Sequence, residues 1–332
     1  MIVLLAHAGF AYPRSGGVGV DVFFVLSGFL ITGILSSDFA RSGRIHLGNF
    51  YARRFLRLVP CLVLTCALFG ALALLQHGFL PYKQIAVALT YTANWARALF
   101  DADLGSLAHC WSLAIEEQYY LFWPFVILWL ERLTEDDSRK ARLLAAAALL
   151  LAGYRAVMVD HYSAGRIYFG LDTHMDGLVF GSALSYLLRS RGGGLAFPDG
   201  RLLSYVLAPL ATVAIAVLMG AVTWEDPSMG RWGFLVAALA ASVLVADLVA
   251  SPRCLFRSAL AWRPCVYVGR ISYGIYLLHF PIFTLLDHQL RGQPFALIAS
   301  AKISLSLAAA AISFRFVEAP FLKMKKRFES AG

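Results

Sequence analysis

Several ionisable side chains stand inside runs that are otherwise fit for a membrane, among them His7, Asp21, Glu116, Glu117, Asp172, His174, Asp176, His279 and Lys302. A charged residue at a bilayer centre costs about 2.5–3.5 kcal/mol on insertion scales, so each is a functional-site candidate by default. A buried histidine titrates near neutrality and can move protons, while neighbouring carboxylates can hold its ring. Asp172 and Asp176 are four residues apart with His174 between them, a spacing that would share one helical face. Such a trio could hold a metal, but the expectation is a hydrogen-bonded cluster and no metal site. Asp21 follows a GGVG turn in VGVDVFFVLSGFLIT and is expected to cap the helix that starts there. Arg53, Arg54 and Arg57, in NFYARRFLRLVP, present guanidinium forks at helical spacing. They suit either a diphosphate ligand or the phosphates of lipid headgroups.

These groups need a scaffold of membrane helices. Of 332 residues 59% are hydrophobic and only 15% charged, which excludes an ordinary soluble protein of two or three domains. Apolar runs at 1–11, 18–36, 59–80, 110–130, 142–159, 167–188, 202–222, 231–250, 271–290 and 294–317 predict an all-α polytopic membrane protein of about ten transmembrane helices. Five connecting segments on one side of that scheme hold 20 of the 29 basic residues, from Arg41 through Arg53, Arg139, Arg191 and Arg263 to Arg327. The positive-inside rule then places both termini in the cytoplasm of a multi-pass protein of the plasma membrane. It also explains the net charge of +9 without nucleic acid as a partner.

Residues 81–109 are long for an outer loop and read as re-entrant or interfacial; the GGG at 192–194 reads as a flexible linker. The five cysteines have neither CxxC nor metal-ligand spacing, so inert thiols are expected. MIVLLAHAGF lacks the basic region of a signal peptide and is short for a span; either helix 1 is abbreviated or the start lies upstream. The expected organisation is one membrane domain over 1–322 and a basic cytoplasmic tail over 323–332.

His7, GVGVDVFFVLSGFLIT, FYARRFLRLVP, WSLAIEEQYYLFWP and GRISYGIYLLHFPI occur in an order that resembles acyltransferase family 3, the integral membrane O-acyltransferases. The likeness runs from His7 to the RFVEAP segment at 315–320, almost the whole chain. It implies a ten-helix enzyme that passes an acyl group, usually acetyl, from cytoplasmic acyl-CoA to a hydroxyl of a glycan or glycoside. Acetyl-CoA would be a co-substrate, and no permanently bound cofactor is expected. The family's essential histidine maps to His7 and its RxxR motif to Arg54 and Arg57, with Arg53 adjacent. Its SxxxxExxY-like element maps to Ser112, Glu117 and Tyr120, with Glu116 and Tyr119 as the other register. Two departures stand out: the usual LDGLRGLA opening is missing, and His174 replaces an arginine common among relatives. No SGNH-type esterase segment is present in the sequence, so transfer is expected to be completed by the membrane domain or by a separate periplasmic transferase.

On that resemblance, the CoA phosphates would dock on Arg53, Arg54 and Arg57, with the pantetheine arm reaching toward His7. His7 would act as general base or as acyl-carrying nucleophile, oriented by Glu116 or Glu117. Asp21 would brace the cavity, with Ser112, Tyr120, Asp172, His174 and Asp176 as substrate or structural support. Tyr12, Trp95, Trp111, Tyr162 and Trp232 could stack on a sugar or form an interfacial belt. The rival expectation is a transporter or flippase that uses the buried His, Asp and Glu residues as a proton relay, for which inverted repeats would be expected and none is visible.

Overall fold

The structure, a computed structural model, describes residues 2–14, 16–190, 200–325 and 328. Among them there are helices and turns and no strand. The 192–194 linker, Arg191, Lys326 and Arg327 lie outside the described residues. In chain order the helices are α1 (Ile2–His7), α2 (Gly17–Ser42), α3 (Leu47–His77), α4 (Tyr82–Leu89), α5 (Ala93–Phe100), α6 (Cys110–Leu133) and α7 (Asp137–Met158). There follow α8 (Ala164–Phe169), α9 (Leu171–His174), α10 (Asp176–Arg189), α11 (Gly200–Ala221) and α12 (Met229–Ala250). The last are α13 (Arg257–Leu260), α14 (Arg263–Arg270), α15 (Ser272–Gln289) and α16 (Phe295–Lys325).

Six helices are long and apolar enough to cross a membrane: α2, most of α3, α7, α11, α12 and α16. The expected span at 167–188 is instead three pieces, because the chain breaks helical geometry at Gly170 and again at Met175. Helix α3 starts at Leu47, well before the expected 59, so Arg53, Arg54 and Arg57 are helical residues and not part of a segment leading into the helix. The 81–109 connection folds as the short helices α4 and α5. The expected tail begins inside α16, which continues through Lys323 to Lys325.

Glycines punctuate the ends. Gly43 and Gly78 follow α2 and α3 at φ of +66° and +73°, and their N–H groups close onto Phe39 and Leu74 carbonyls. A Cβ would strain that left-handed turn. Pro60, Pro124 and Pro281 lie inside α3, α6 and α15, where neighbouring helices make the lost backbone bond tolerable.

The tightest contact is between α2 and α10. A Cβ on Gly28 would lie 1.8 Å from the Leu178 carbonyl oxygen, and one on Gly181 1.9 Å from that of Val25. Only glycine allows the two backbones to meet, which is how membrane helices gain dispersion energy without a hydrophobic drive. Beside this crossing runs a satisfied polar seam. Thr32 donates to Ser182 at 2.7 Å, Trp123 Nε1 donates to Thr32 at 2.8 Å, and Tyr119 bonds Ser182 at 2.8 Å. At the far end of α6, Glu131 gathers Lys140 and Tyr186 while Asp137 takes Arg189 at 2.9 Å, tying α6, α7 and α10.

Candidate active site

His7 closes α1, and its ring meets that of His279 in the middle of α15. The Nδ1 of His7 is 2.9 Å from the Nε2 of His279, with the two planes 7° apart. His279 is buried, and its own Nδ1 faces the Tyr276 carbonyl at 2.6 Å and that of Ile275 at 3.2 Å. A carbonyl only accepts, so Nδ1 of His279 carries a proton and, in the neutral ring, Nε2 is an acceptor. His7 must then donate from Nδ1, which leaves the lone pair on its Nε2. His7 is the exposed member of the pair and His279 the buried one. A backbone carbonyl therefore selects, through two rings, the tautomer that can accept a proton or attack a carbon.

The orienting partner of His7 is thus a second histidine, not Glu116 or Glu117. His109, just before α6, packs at 5.2 Å against both His279 and Phe280 and completes a cluster of three imidazoles. Ser112 belongs to the same cluster as a tie. Its hydroxyl bonds Tyr276 at 2.5 Å, and Tyr276 donates to the His109 carbonyl at 2.7 Å, clamping the start of α6 to α15.

The carboxylates lie further along α6. Glu116 accepts from Tyr120 at 3.2 Å, and Tyr120 also bonds Ser27 of α2. The Arg54 guanidinium covers the Tyr120 ring at 3.9 Å. Arg54, Glu117, Tyr120 and Gln118 line a cavity of about 240 Å³ together with Thr90 and Tyr91. Glu117 Oε1 and the Tyr91 hydroxyl are buried here and have no hydrogen bond within the protein, so both are free to pair with a bound molecule. Tyr91 sits in the left-handed region at φ 53°, held by Gln118, whose amide donates to the Tyr91 carbonyl at 2.7 Å. A bulky residue in that conformation is strained, and such strain collects at ligand sites.

The three arginines do not form one patch. Arg53 donates to the Phe328 carbonyl at 2.6 Å, Arg54 turns into the cavity, and Arg57 is exposed within electrostatic reach of Glu116 and Glu318. The spacing that puts 53 and 57 on one face is real, but each side chain takes a different partner.

Asp21 does not cap α2. The helix starts at Gly17 with no side-chain cap, which leaves Asp21 in its second turn and fully inside the bundle. Its Oδ1 is 2.6 Å from His174 Nε2, while His174 Nδ1 is 2.6 Å from the Tyr168 carbonyl. One proton therefore lies on the line between carboxylate and imidazole. Aromatic rings enclose it, with Phe234 centred 4.0 Å and Tyr168 5.2 Å from the His174 ring and Trp111 nearly parallel to it. That partnership is what holds an acid among apolar residues.

Asp176 finds a different partner, Arg155, at 2.5 Å. Arg155 is fully buried and also donates to the Thr173 and Gly230 carbonyls at 3.1 and 2.8 Å. Asp172 turns outward to Arg166 at 2.7 Å. The two aspartates and His174 consequently do not converge, because each takes a partner from a different element: Arg166 for Asp172, Arg155 for Asp176 and Asp21 for His174. Among the described residues no group of His, Cys, Asp and Glu has the geometry to hold a metal ion.

Arg155, His109 and Tyr91 are not evident from the sequence, and His279 stands out there only as an ionisable residue in an apolar run. A lone arginine in LLLAGYRAVMV was the one signal for Arg155. For His279 it was the second histidine at mid-membrane depth.

The acyltransferase 3 family model, an acyltransferase domain, matches residues 1–315. Peptidoglycan O-acetyltransferase OatA of Listeria monocytogenes is 30% identical over 97% of this chain and 54% of its own length. O-acetyltransferase OatA of Staphylococcus aureus is 30% identical over 97% of this chain and 55% of its own. The chain spans about half the length of these curated relatives. No solved structure matches.

Proposed function

The chain belongs to the acyltransferase 3 family, and on that premise we propose that it is a membrane-embedded O-acetyltransferase acting on a peptidoglycan hydroxyl. The donor in this reading is acyl-CoA from the cytoplasm, the setting a plasma membrane crossed about ten times, with the arginine-rich end inside. The peptidoglycan acceptor is suggested by the names of the relatives.

The observation that carries the proposal is the relay from the Tyr276 carbonyl through His279 to His7, which leaves a lone pair on His7 Nε2. That nitrogen takes the proton of the acceptor hydroxyl as its oxygen attacks the thioester carbonyl. The C–S bond then breaks, the acetyl group stays on the acceptor oxygen, and the proton passes to the departing thiolate. The same lone pair is the one an acyl-imidazole intermediate would use.

The donor's path in this reading starts at the cavity beside Arg54, where Glu117 Oε1 and the Tyr91 hydroxyl meet the polar pantetheine arm. From Glu117 to Cys110 α6 rises roughly 10 Å, and His109 follows directly. The arm would follow that rise past Ser112 and Tyr276 to the imidazoles.

The test is acetyl transfer by the purified chain in lipid vesicles, with labelled acetyl-CoA and soluble peptidoglycan fragments. The proposal expects label on the glycan with wild type and none above background with His7→Ala. Binding of acetyl-CoA without consumption by either protein would sink it in favour of a transport role.

A further inference from the structure

Residues 255–270 lie on the outside of the bundle and touch its core through Val268. No residue of α13 or α14 is buried, yet the stretch carries Leu255, Phe256, Leu260, Trp262, Val266 and Tyr267, each at least 36% exposed and Trp262 at 65%. Six large apolar side chains on one short exposed segment need an apolar surrounding. The segment is nevertheless pinned: Arg257 donates to the Leu248 and Ser251 carbonyls at the end of α12, at 2.9 and 2.7 Å. It lies at the arginine-rich end of the molecule, because Tyr273, just after it, donates to the Leu58 carbonyl next to Arg57.

Arg263 and Arg270 differ from Arg257 in having no ion pair or side-chain hydrogen bond among the described residues. Seven residues apart, they share a face of α14 and lie about 10 Å apart along its axis. With Tyr267 between them they line a concave surface of about 470 Å³. Two unpaired forks flanking a phenol call for phosphate oxygens. The apolar residues alongside select the kind of phosphate, since a soluble phosphate ester would leave them in water.

We propose that α14 and the loop before it form a binding site for an anionic phospholipid. Arg263 and Arg270 take the headgroup phosphodiester, and Trp262, Leu260 and Phe256 enter the acyl-chain boundary, as in an interfacial amphipathic helix. The site is independent of the acetyl-transfer chemistry and would fix the depth of α15, the helix that carries His279.

The experiment is native mass spectrometry of the full chain released from vesicles of equal phosphatidylglycerol and phosphatidylcholine. Wild type is expected to retain phosphatidylglycerol preferentially. At about fivefold per arginine near an anionic surface, Arg263→Gln with Arg270→Gln should lower that preference by up to about 25-fold. The comparison variant is Arg132→Gln with Arg139→Gln, which removes the same charge from exposed residues and should leave the preference intact. Because Arg263 and Arg270 are exposed, thermal unfolding of the first variant should match wild type. An equal loss in both variants would reduce the effect to bulk charge and overturn the site. Displacement of the retained lipid by added coenzyme A would overturn it as well, in favour of a soluble phosphate ligand.

Discussion

Replacing His279 by alanine removes the acceptor that holds the proton on His7 Nδ1. A hydrogen bond of this kind contributes about 0.5–1.5 kcal/mol, which corresponds to roughly two- to twelvefold in the population of the competent tautomer and ring position. His7→Ala removes the base itself and should lower kcat by on the order of 10²–10⁴. The two variants should therefore be ordered, with His279→Ala losing roughly two- to twelvefold and His7→Ala far more. His279 is buried, so alanine also leaves a cavity. His279→Gln separates the two effects, because its carbonyl oxygen can still accept from His7 Nδ1–H. The assay is single-turnover acetyl transfer in vesicles, with thermal unfolding in detergent as the fold check. Recovery of most of the lost rate by glutamine is the expected result. Wild-type turnover in His279→Ala, or a folded His279→Gln as slow as alanine, would refute the reasoning.

Other expectations follow from the packing and the cavity. Gly28→Val should prevent α2 from seating on α10, because the Leu178 carbonyl already occupies the Cβ direction; thermal unfolding should show a large loss of folded protein. Arg155→Ala leaves Asp176 buried without its cation and should cost about 3–5 kcal/mol of stability. The double variant Arg155→Ala with Asp176→Ala should recover part of that in the same unfolding assay. Arg54→Ala removes the cation from the cavity and should raise the KM for acetyl-CoA at least tenfold, read in donor titrations, with a smaller change in kcat.

The sequence alone determined the class of this protein. Burial of backbone polar groups in lipid leaves helices as the natural solution for long apolar runs, so composition and run length were enough. The order of the short segments that carry the family resemblance was likewise legible, since each is a local stretch of sequence. Local patterns also misled in identifiable ways. Asp21 looked like a cap because GGVG precedes it, but α2 starts at Gly17 and the second-turn carboxylate meets a histidine 153 residues away. Asp172 and Asp176 are four residues apart in sequence, but Asp172 pairs with Arg166 and Asp176 with Arg155. Tertiary structure decided the partnerships: His279 for His7, Arg155 for Asp176, and Tyr91 with Arg54 around the cavity. The reason is physical. In a low-dielectric interior each polar group must find a complement, and in a bundle that complement comes from whichever helix packs opposite, at a sequence distance no periodicity encodes.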